Sequence, residues 1–378
     1  MAQTLGRGMT KILYIFESGD WDSRMAVAHG AREKGFEIVI GLMNGDEEAT
    51  KRAPEFKIIP LKKSGNRFGI LSSLQIVRDI NALIKQENPD IIHAVTLKYG
   101  FMTGIASVFI KNTRKIYTLA GLGYLFRSDD PKSTLLRFIL RPLLTFILKR
   151  PNTTLIFQNA DDLDLMIDKK YARAEHSILI RGSGVYLDRF TPTHNDSESP
   201  IVLMPTRLVH EKGVAIFIEA ARILKARGVK AHFQIAGGET KHNPKAISRA
   251  QMLEMVNDGA VEWLGRVSDM PALLAQASLI VYPSYYGEGI PRVLLEACAA
   301  GRAIITTDHA GCREAVEHRV NGLLVPVKDI LATAQAMEHI LSHADERRAM
   351  EIQSRKRAED QFDIHSIVDQ TVRVYDKT

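Results

Sequence analysis

The feature that most constrains this chain is an alternation of apolar, β-branched runs with longer amphipathic stretches that stops once and starts again. KILYIF (11–16), FEIVIGL (36–42), KIIP (57–60), DIIHAV (90–95), RKIYTL (114–119) and TTLIFQ (153–158) read as strands. Periodic segments such as SLQIVRDINALIKQ (73–86) separate most of them. Continuous apolar runs imply strands buried on both faces, and helices between them imply parallel pairing. The pattern pauses at GVYLDRFTPTHNDSESP (184–200), where Pro, Ser, Asn and Asp accumulate as they do in linkers. It resumes with IVLMPT (201–206), AHFQIAG (231–237), VEWLG (261–265), LIVYP (279–283) and AIITT (303–307). VAIFIEAARILKARG (214–228) and MPALLAQA (270–277) are among the helices between them.

The expected fold class is α/β, with two Rossmann-like domains facing a cleft. The expected boundaries are residues 1–190, 191–361 and a terminal helix in 362–378 that crosses back to the first domain. A length of 378 residues suits two domains. Ligands of such folds bind at strand C-terminal ends and in clefts. MAQTLGRGMTKILYIF has no long apolar core or small-residue cleavage pattern, and the two cysteines, Cys298 and Cys312, suit no disulfide framework or metal spacing. A reducing cytoplasm is the expected location. Net charge is +6, and residues 111–150 hold nine Lys or Arg against Asp129 and Asp130. A nucleic acid or a phospholipid surface would both suit that surplus, but no helix-turn-helix, zinc-finger or aromatic RNA-binding signature supports the former.

The second half carries the chemistry. RLVHEKG (207–213) follows a strand and opens a helix, so Arg207 and Lys212 can meet an anion beside free helical N–H groups. Gly237 and Gly238 end another strand, and the loop at Arg266–Asp269 follows a third. In YYGEGIPRVLLEACAAG (285–301), Glu288 and Glu296 flank Gly289, Ile290 and Pro291. Eight residues of helix span roughly 12 Å, so the two carboxylates would address two ends of one ligand rather than one bond. Taken singly, each of these features is ordinary surface or loop chemistry.

Together, R-x4-K-G, G-G and E-G-I-P-x4-E-A-x3-G, followed by DHAGCREAVEHRVNGLLVP (308–326), closely resemble the retaining glycosyltransferases of family 4. The resemblance implies a glycosyltransferase-B fold. It also implies that Arg207 and Lys212 bind the donor diphosphate and stabilise the leaving nucleotide, with no metal or other cofactor. Glu296 would take the ribose hydroxyls. Glu288 would hold the transferred sugar with the backbone of Gly289, Ile290 and Pro291, and Val267 would meet the base. The family's reaction keeps the anomeric configuration, with a donor phosphate oxygen taking the acceptor's proton in the favoured account. Glu288, Arg207 and Lys212 are the expected catalytic groups.

In the first half, Ser18 and Gly19 form a turn after the first strand that would sit near the donor phosphates, and Arg24 follows on a helix. Many relatives carry a histidine two positions beyond His93, where this chain has Val95, so His93 is expected to be packed. STLLRFILRPLLTFILK (133–149) is too short and too charged to span a bilayer, but could lie in a membrane interface or be buried. GLG at 121–123, followed by an aromatic residue, resembles bacterial N-acetylgalactosaminyltransferases that act on undecaprenyl-diphosphate glycans. On this resemblance Arg24, Lys98, Gly121, Gly123, Arg137 and Arg141 face the acceptor or the membrane.

The implied function is transfer of a sugar, such as an N-acetylhexosamine, from a UDP-sugar to a polyprenyl-diphosphate-linked sugar in bacterial surface-glycan or glycoprotein-glycan assembly. The implied setting is the inner face of the cell membrane, with no nucleic-acid partner. A soluble or lipopolysaccharide-core acceptor, and a nucleotide-sugar-binding protein without turnover, stay open as alternatives.

Overall fold

The computed structural model describes residues 9–18, 21–43, 45, 47–61, 70–127, 130–193, 199–240, 243 and 245–376. The chain forms two compact units, residues 1–183 with 365–378, and residues 184–364.

The first unit is built on β1 (Lys11–Glu17), β2 (Glu37–Met43), β3 (Lys57–Leu61), β4 (Ile91–Val95), β5 (Arg114–Leu119), β6 (Thr153–Phe157) and β7 (Ser177–Leu179). All pair in parallel, in the order β3-β2-β1-β4-β5-β6-β7. Alternate residues of β1 serve opposite cores. Leu13 and Ile15 join one apolar cluster, while Ile12, Tyr14 and Phe16 join the other. That is why these strands read as unbroken apolar runs.

The terminal helix Ile364–Asp376 completes the second of those cores with Ile367, Val372, Val374 and Tyr375. Gly30 admits it closely, since a Cβ there would lie 2.2 Å from Val368 Cγ1. The Arg114 guanidinium donates to the carbonyls of Val374 and Tyr375, each at 2.9 Å, and so caps the helix end. On the opposite face of the sheet, helix Pro131–Leu148 buries Leu144, Ile147 and Leu148. Gly104 brings helix Leu97–Ala106 against it, with Ile147 Cγ2 2.1 Å from where a Cβ would stand.

The second unit holds β8 (Ile201–Pro205), β9 (His232–Ala236), β10 (Glu262–Gly265), β11 (Leu279–Tyr282), β12 (Ala303–Thr307) and β13 (Gly322–Val325). The order is β10-β9-β8-β11-β12-β13, again all parallel. Strand order reverses between β8 and β11 here, and between β1 and β4 in the first unit. Such switch points open a crevice at the strand C-terminal ends, where ligands of doubly wound sheets bind. Two short strands, β7 and β13, add to those legible as apolar runs.

Candidate active site at the second switch point

β8 and β11 are neighbours, so the loops that leave their C-terminal ends run side by side. After β8, a one-turn 3-10 helix, His210–Lys212, ends at Gly213. Gly213 has φ +82°, and a Cβ there would stand 2.2 Å from the Pro283 carbonyl oxygen, so only glycine permits this approach. The Glu211 carbonyl accepts from Tyr285 N at 2.9 Å and from Ser284 Oγ at 3.3 Å, lacing the two loops together. Beyond them, Gly311 (φ +80°) leaves room for the Glu288–Gly289 backbone. A Cβ at 311 would be 2.0 Å from the Gly289 oxygen.

This lacing brings Lys212 and Glu288 into contact. The Lys212 ammonium donates to Glu288 Oε1 in a short ion pair, with 4% of the lysine side chain and 21% of the glutamate exposed. Tyr282 OH donates to the same oxygen at 3.1 Å. Glu288 Oε2 receives no hydrogen bond from a described residue. The Lys212 ammonium also lies over the rings of Tyr282 and Tyr286, at 5.4 and 5.1 Å from their centroids. Burial, with the Glu288 charge second, pushes the Tyr282 and Tyr286 hydroxyls above their usual range, so both stay protonated. Arg207 is exposed at the end of β8, and its guanidinium makes no hydrogen bond or ion pair with a described residue. Its charge is near enough to act on both tyrosines.

Glu296 lies on the helix that follows the Glu288 loop. The helix starts at Arg292, with Pro291 as its N-cap, so Glu288 belongs to the preceding loop and Glu296 to the helix itself. Glu288 to Ile290 form the turn that precedes the helix, and Pro291 caps it rather than standing in its first turn. Glu296 accepts from Arg292 Nε at 2.9 Å. Val267, just after β10, is half-buried against the Leu274–Ile280 core. Gly237 passes Thr206 at a distance a Cβ would forbid, and its carbonyl accepts from Trp263 Nε1 at 2.9 Å. The tyrosines were the residues sequence reasoning missed. Their signal, Tyr-Pro-Ser-Tyr-Tyr leading into Glu288, gains meaning only once Lys212 is known to lie beside it.

In the first unit, Ser18 is exposed after β1, and Gly19 lies outside the described residues. Lys98 is exposed beyond β4, its ammonium 5.2 Å from the Tyr99 ring centroid. Gly121 (φ +91°) and Gly123 (φ +59°) follow β5. Arg24 is buried on helix Trp21–Glu33 and lines a small cavity with Tyr14, His93, Thr118 and Gln158. His93 is packed, as its sequence context suggests. Its Nδ1 bonds Tyr375 OH at 2.6 Å and its Nε2 bonds Thr118 Oγ1 at 2.7 Å. Burial, helped by the Arg24 charge, lowers its pKa to about 3.

Arg137 and Arg141 turn back onto the protein. Arg137 donates to Phe126 O (3.3 Å) and Thr134 Oγ1 (3.0 Å), and Arg141 sits 5.4 Å from the Tyr171 ring centroid. On the same helix Leu135, Leu136, Phe138, Ile139, Leu143 and Phe146 are exposed, Phe138 by 78%. Among the described residues no helix is long and apolar enough to cross a membrane.

Two family models together match most of the chain: "Glycosyl transferase 4-like" over residues 11–159 and "Glycosyl transferases group 1" over residues 188–357. The chain belongs to the glycosyltransferases.

This glycosyltransferase is 28% identical over 373 residues to the Campylobacter jejuni N,N'-diacetylbacillosaminyl-diphospho-undecaprenol alpha-1,3-N-acetylgalactosaminyltransferase, covering 94% of each chain. It is 25% identical to an Escherichia coli UDP-Gal:alpha-D-GlcNAc-diphosphoundecaprenol alpha-1,3-galactosyltransferase, covering 71% of this chain and 72% of that one. Its fold matches sucrose-phosphate synthase from Thermosynechococcus elongatus, with a TM-score of 0.82, 19% identity and 97% and 98% of the two chains covered. It also matches an Anabaena protein crystallised with UDP and glucose, with a TM-score of 0.78, 21% identity, and 98% and 100% covered. The glycosyltransferase-B fold implied by the motifs is thus the fold observed.

Proposed function

We propose that this glycosyltransferase moves a sugar from a UDP-sugar to a polyprenyl-diphosphate-linked sugar with retention of anomeric configuration. The observation that carries the proposal is the convergence of Lys212, Glu288 and the exposed Arg207 at the switch point of the second sheet. A buried ammonium and an exposed guanidinium suit a diphosphate, and a carboxylate with one oxygen open suits sugar hydroxyls. Both cations would stabilise the charge that builds on the leaving UDP. Glu296 would hold the ribose and the Val267 loop the base, while Gly289, Ile290 and Pro291 would line the sugar.

The UDP donor draws on the Anabaena complex with UDP and glucose. The lipid-linked acceptor draws on the Campylobacter and Escherichia coli relatives, whose names specify diphosphoundecaprenol-linked sugars. On this reading Lys98, Gly121 and Gly123 face the acceptor. The exposed apolar row of helix Pro131–Leu148, flanked by basic residues, rests at the inner membrane surface, as interfacial helices do. The transferred sugar is an N-acetylhexosamine.

The test combines UDP-sugars with a synthetic polyprenyl-diphosphate-linked N-acetylhexosamine and reads product mass and anomeric configuration. Gain of one α-linked N-acetylhexosamine supports the proposal, and an inverted linkage or an unmodified acceptor refutes it. Flotation with anionic vesicles tests the membrane claim. Replacing Phe138 and Ile139 by Ser should abolish flotation while leaving donor binding intact. Unchanged flotation would refute it.

A further inference from the structure

Tyr282 carries a hydroxyl that its surroundings do not require for packing. It ends β11, its side chain is buried, and the residues before it on the strand, Leu279, Ile280 and Val281, are wholly apolar. Its backbone is pinned, since Thr306 Oγ1 donates to the Tyr282 carbonyl at 2.7 Å. Phenylalanine would fill the same space. A buried hydroxyl is retained at a cost unless it has a partner, and the partner here is Glu288 Oε1.

The same oxygen takes the Lys212 ammonium, so among the described residues both donors converge on Oε1 and Oε2 stays open. A carboxylate held through one oxygen cannot rotate to offer either oxygen to a ligand. It presents a single acceptor in a fixed direction. The backbone that carries it is equally fixed, because Gly311 packs against the Glu288 and Gly289 carbonyls.

We infer that Tyr282 is a positioning residue for sugar selection: by holding Oε1 of Glu288 together with Lys212, it commits Oε2 alone to one hydroxyl of the transferred sugar. The inference rests on the reading of Glu288 as the sugar's anchor and adds how that anchor discriminates. A donor whose hydroxyl points toward Oε2 gains a charge-assisted hydrogen bond. Its epimer at that carbon does not, and leaves the oxygen unsatisfied once water is excluded. When a diphosphate draws the Lys212 ammonium toward itself, Tyr282 is the donor that stays on Oε1. Selection therefore survives donor binding because of the tyrosine rather than the lysine.

The experiment compares wild type with Tyr282→Phe, Glu288→Gln and the double variant, measuring kcat/KM for UDP-sugar pairs epimeric at one ring carbon, UDP affinity and thermal midpoint. Loss of one hydrogen bond to a charged group should lower the epimer selectivity of Tyr282→Phe roughly tenfold, with UDP affinity held within about twofold. In the Glu288→Gln background the tyrosine substitution should change selectivity no further, because its effect passes through that carboxylate. Unchanged selectivity in Tyr282→Phe, or an equal loss in both backgrounds, would overturn the inference while leaving the donor reading in place. A wild-type protein that binds UDP-sugars but processes none would overturn the donor reading and this inference together. A purely structural role would instead lower the thermal midpoint and turnover of both epimers alike.

Discussion

Breaking the Lys212–Glu288 pair from its two ends should have unequal consequences, because the two charges are unequally buried. Glu288→Ala strands an ammonium that has 4% of its side chain exposed. Removing one partner of a buried pair costs roughly 3–5 kcal/mol. The Tyr282 and Tyr286 rings remain at 5.4 and 5.1 Å and return about 1–2 kcal/mol by cation–π attraction. The net loss is therefore about 1–4 kcal/mol. Lys212→Met leaves a carboxylate that is 21% exposed, still bonded by Tyr282, and fills the lysine's volume. Its cost should be about 0–1 kcal/mol, and the double variant Lys212→Met, Glu288→Leu should return close to wild type. For a unit of this size the Glu288→Ala midpoint should fall roughly 5–10 °C and that of Lys212→Met less than about 3 °C, in a thermal melt followed by near-ultraviolet dichroism. Turnover of UDP-sugar should be lost in all three. Equal midpoint losses from the two single variants would refute the argument from burial, and so would a double variant less stable than either.

Arg207→Ala removes an exposed cation with no hydrogen-bond or ion-pair partner among the described residues, so stability should hold while kcat/KM for the UDP-sugar falls about 100-fold, read by steady-state kinetics. Gly311→Ala adds a Cβ 2.0 Å from the Gly289 oxygen at φ +80°, which should cost roughly 2–4 kcal/mol in urea unfolding and displace the Glu288 loop, lowering activity. His93 binds its proton far more weakly folded, with a pKa of about 3, than unfolded, near the ordinary histidine value of 6.5. Its contribution to stability is thus complete above the unfolded value and is lost as pH falls from 6.5 toward 3, by up to about 1.4 kcal/mol per pH unit. His93→Gln should flatten that part of the stability–pH curve in urea titrations, and an unchanged slope would refute the assignment.

Most of the fold was legible because strands covered on both faces leave no polar alternation to confuse them with surface segments. β7 and β13 escaped notice for the converse reason. Ser177–Leu179 is three half-buried residues at a sheet edge, and Gly322–Val325 is four residues that read equally well as a loop. The site was legible residue by residue but not as a constellation. Lys212 and Glu288 are 76 positions apart, and only the β8–β11 adjacency, a reversal of strand order, puts them in contact. The role of Tyr282 depends on which carboxylate oxygen its hydroxyl reaches, which no spacing encodes. Helix Pro131–Leu148 was ambiguous between core and interface because it is partly both. Its last turns bury Leu144, Ile147 and Leu148, while the rest presents apolar side chains outward.

The central claim, that the second switch point activates a nucleotide sugar for transfer to a lipid-linked acceptor, is tested most directly by nucleoside diphosphate release. UDP- and GDP-sugars would be assayed with and without a polyprenyl-diphosphate-linked N-acetylhexosamine, using wild type and Glu288→Gln. The account predicts release from a UDP-sugar that depends on the acceptor and is strongly reduced, though still measurable, with the substitution. Release that ignores the acceptor, or that survives Glu288→Gln undiminished, would contradict it.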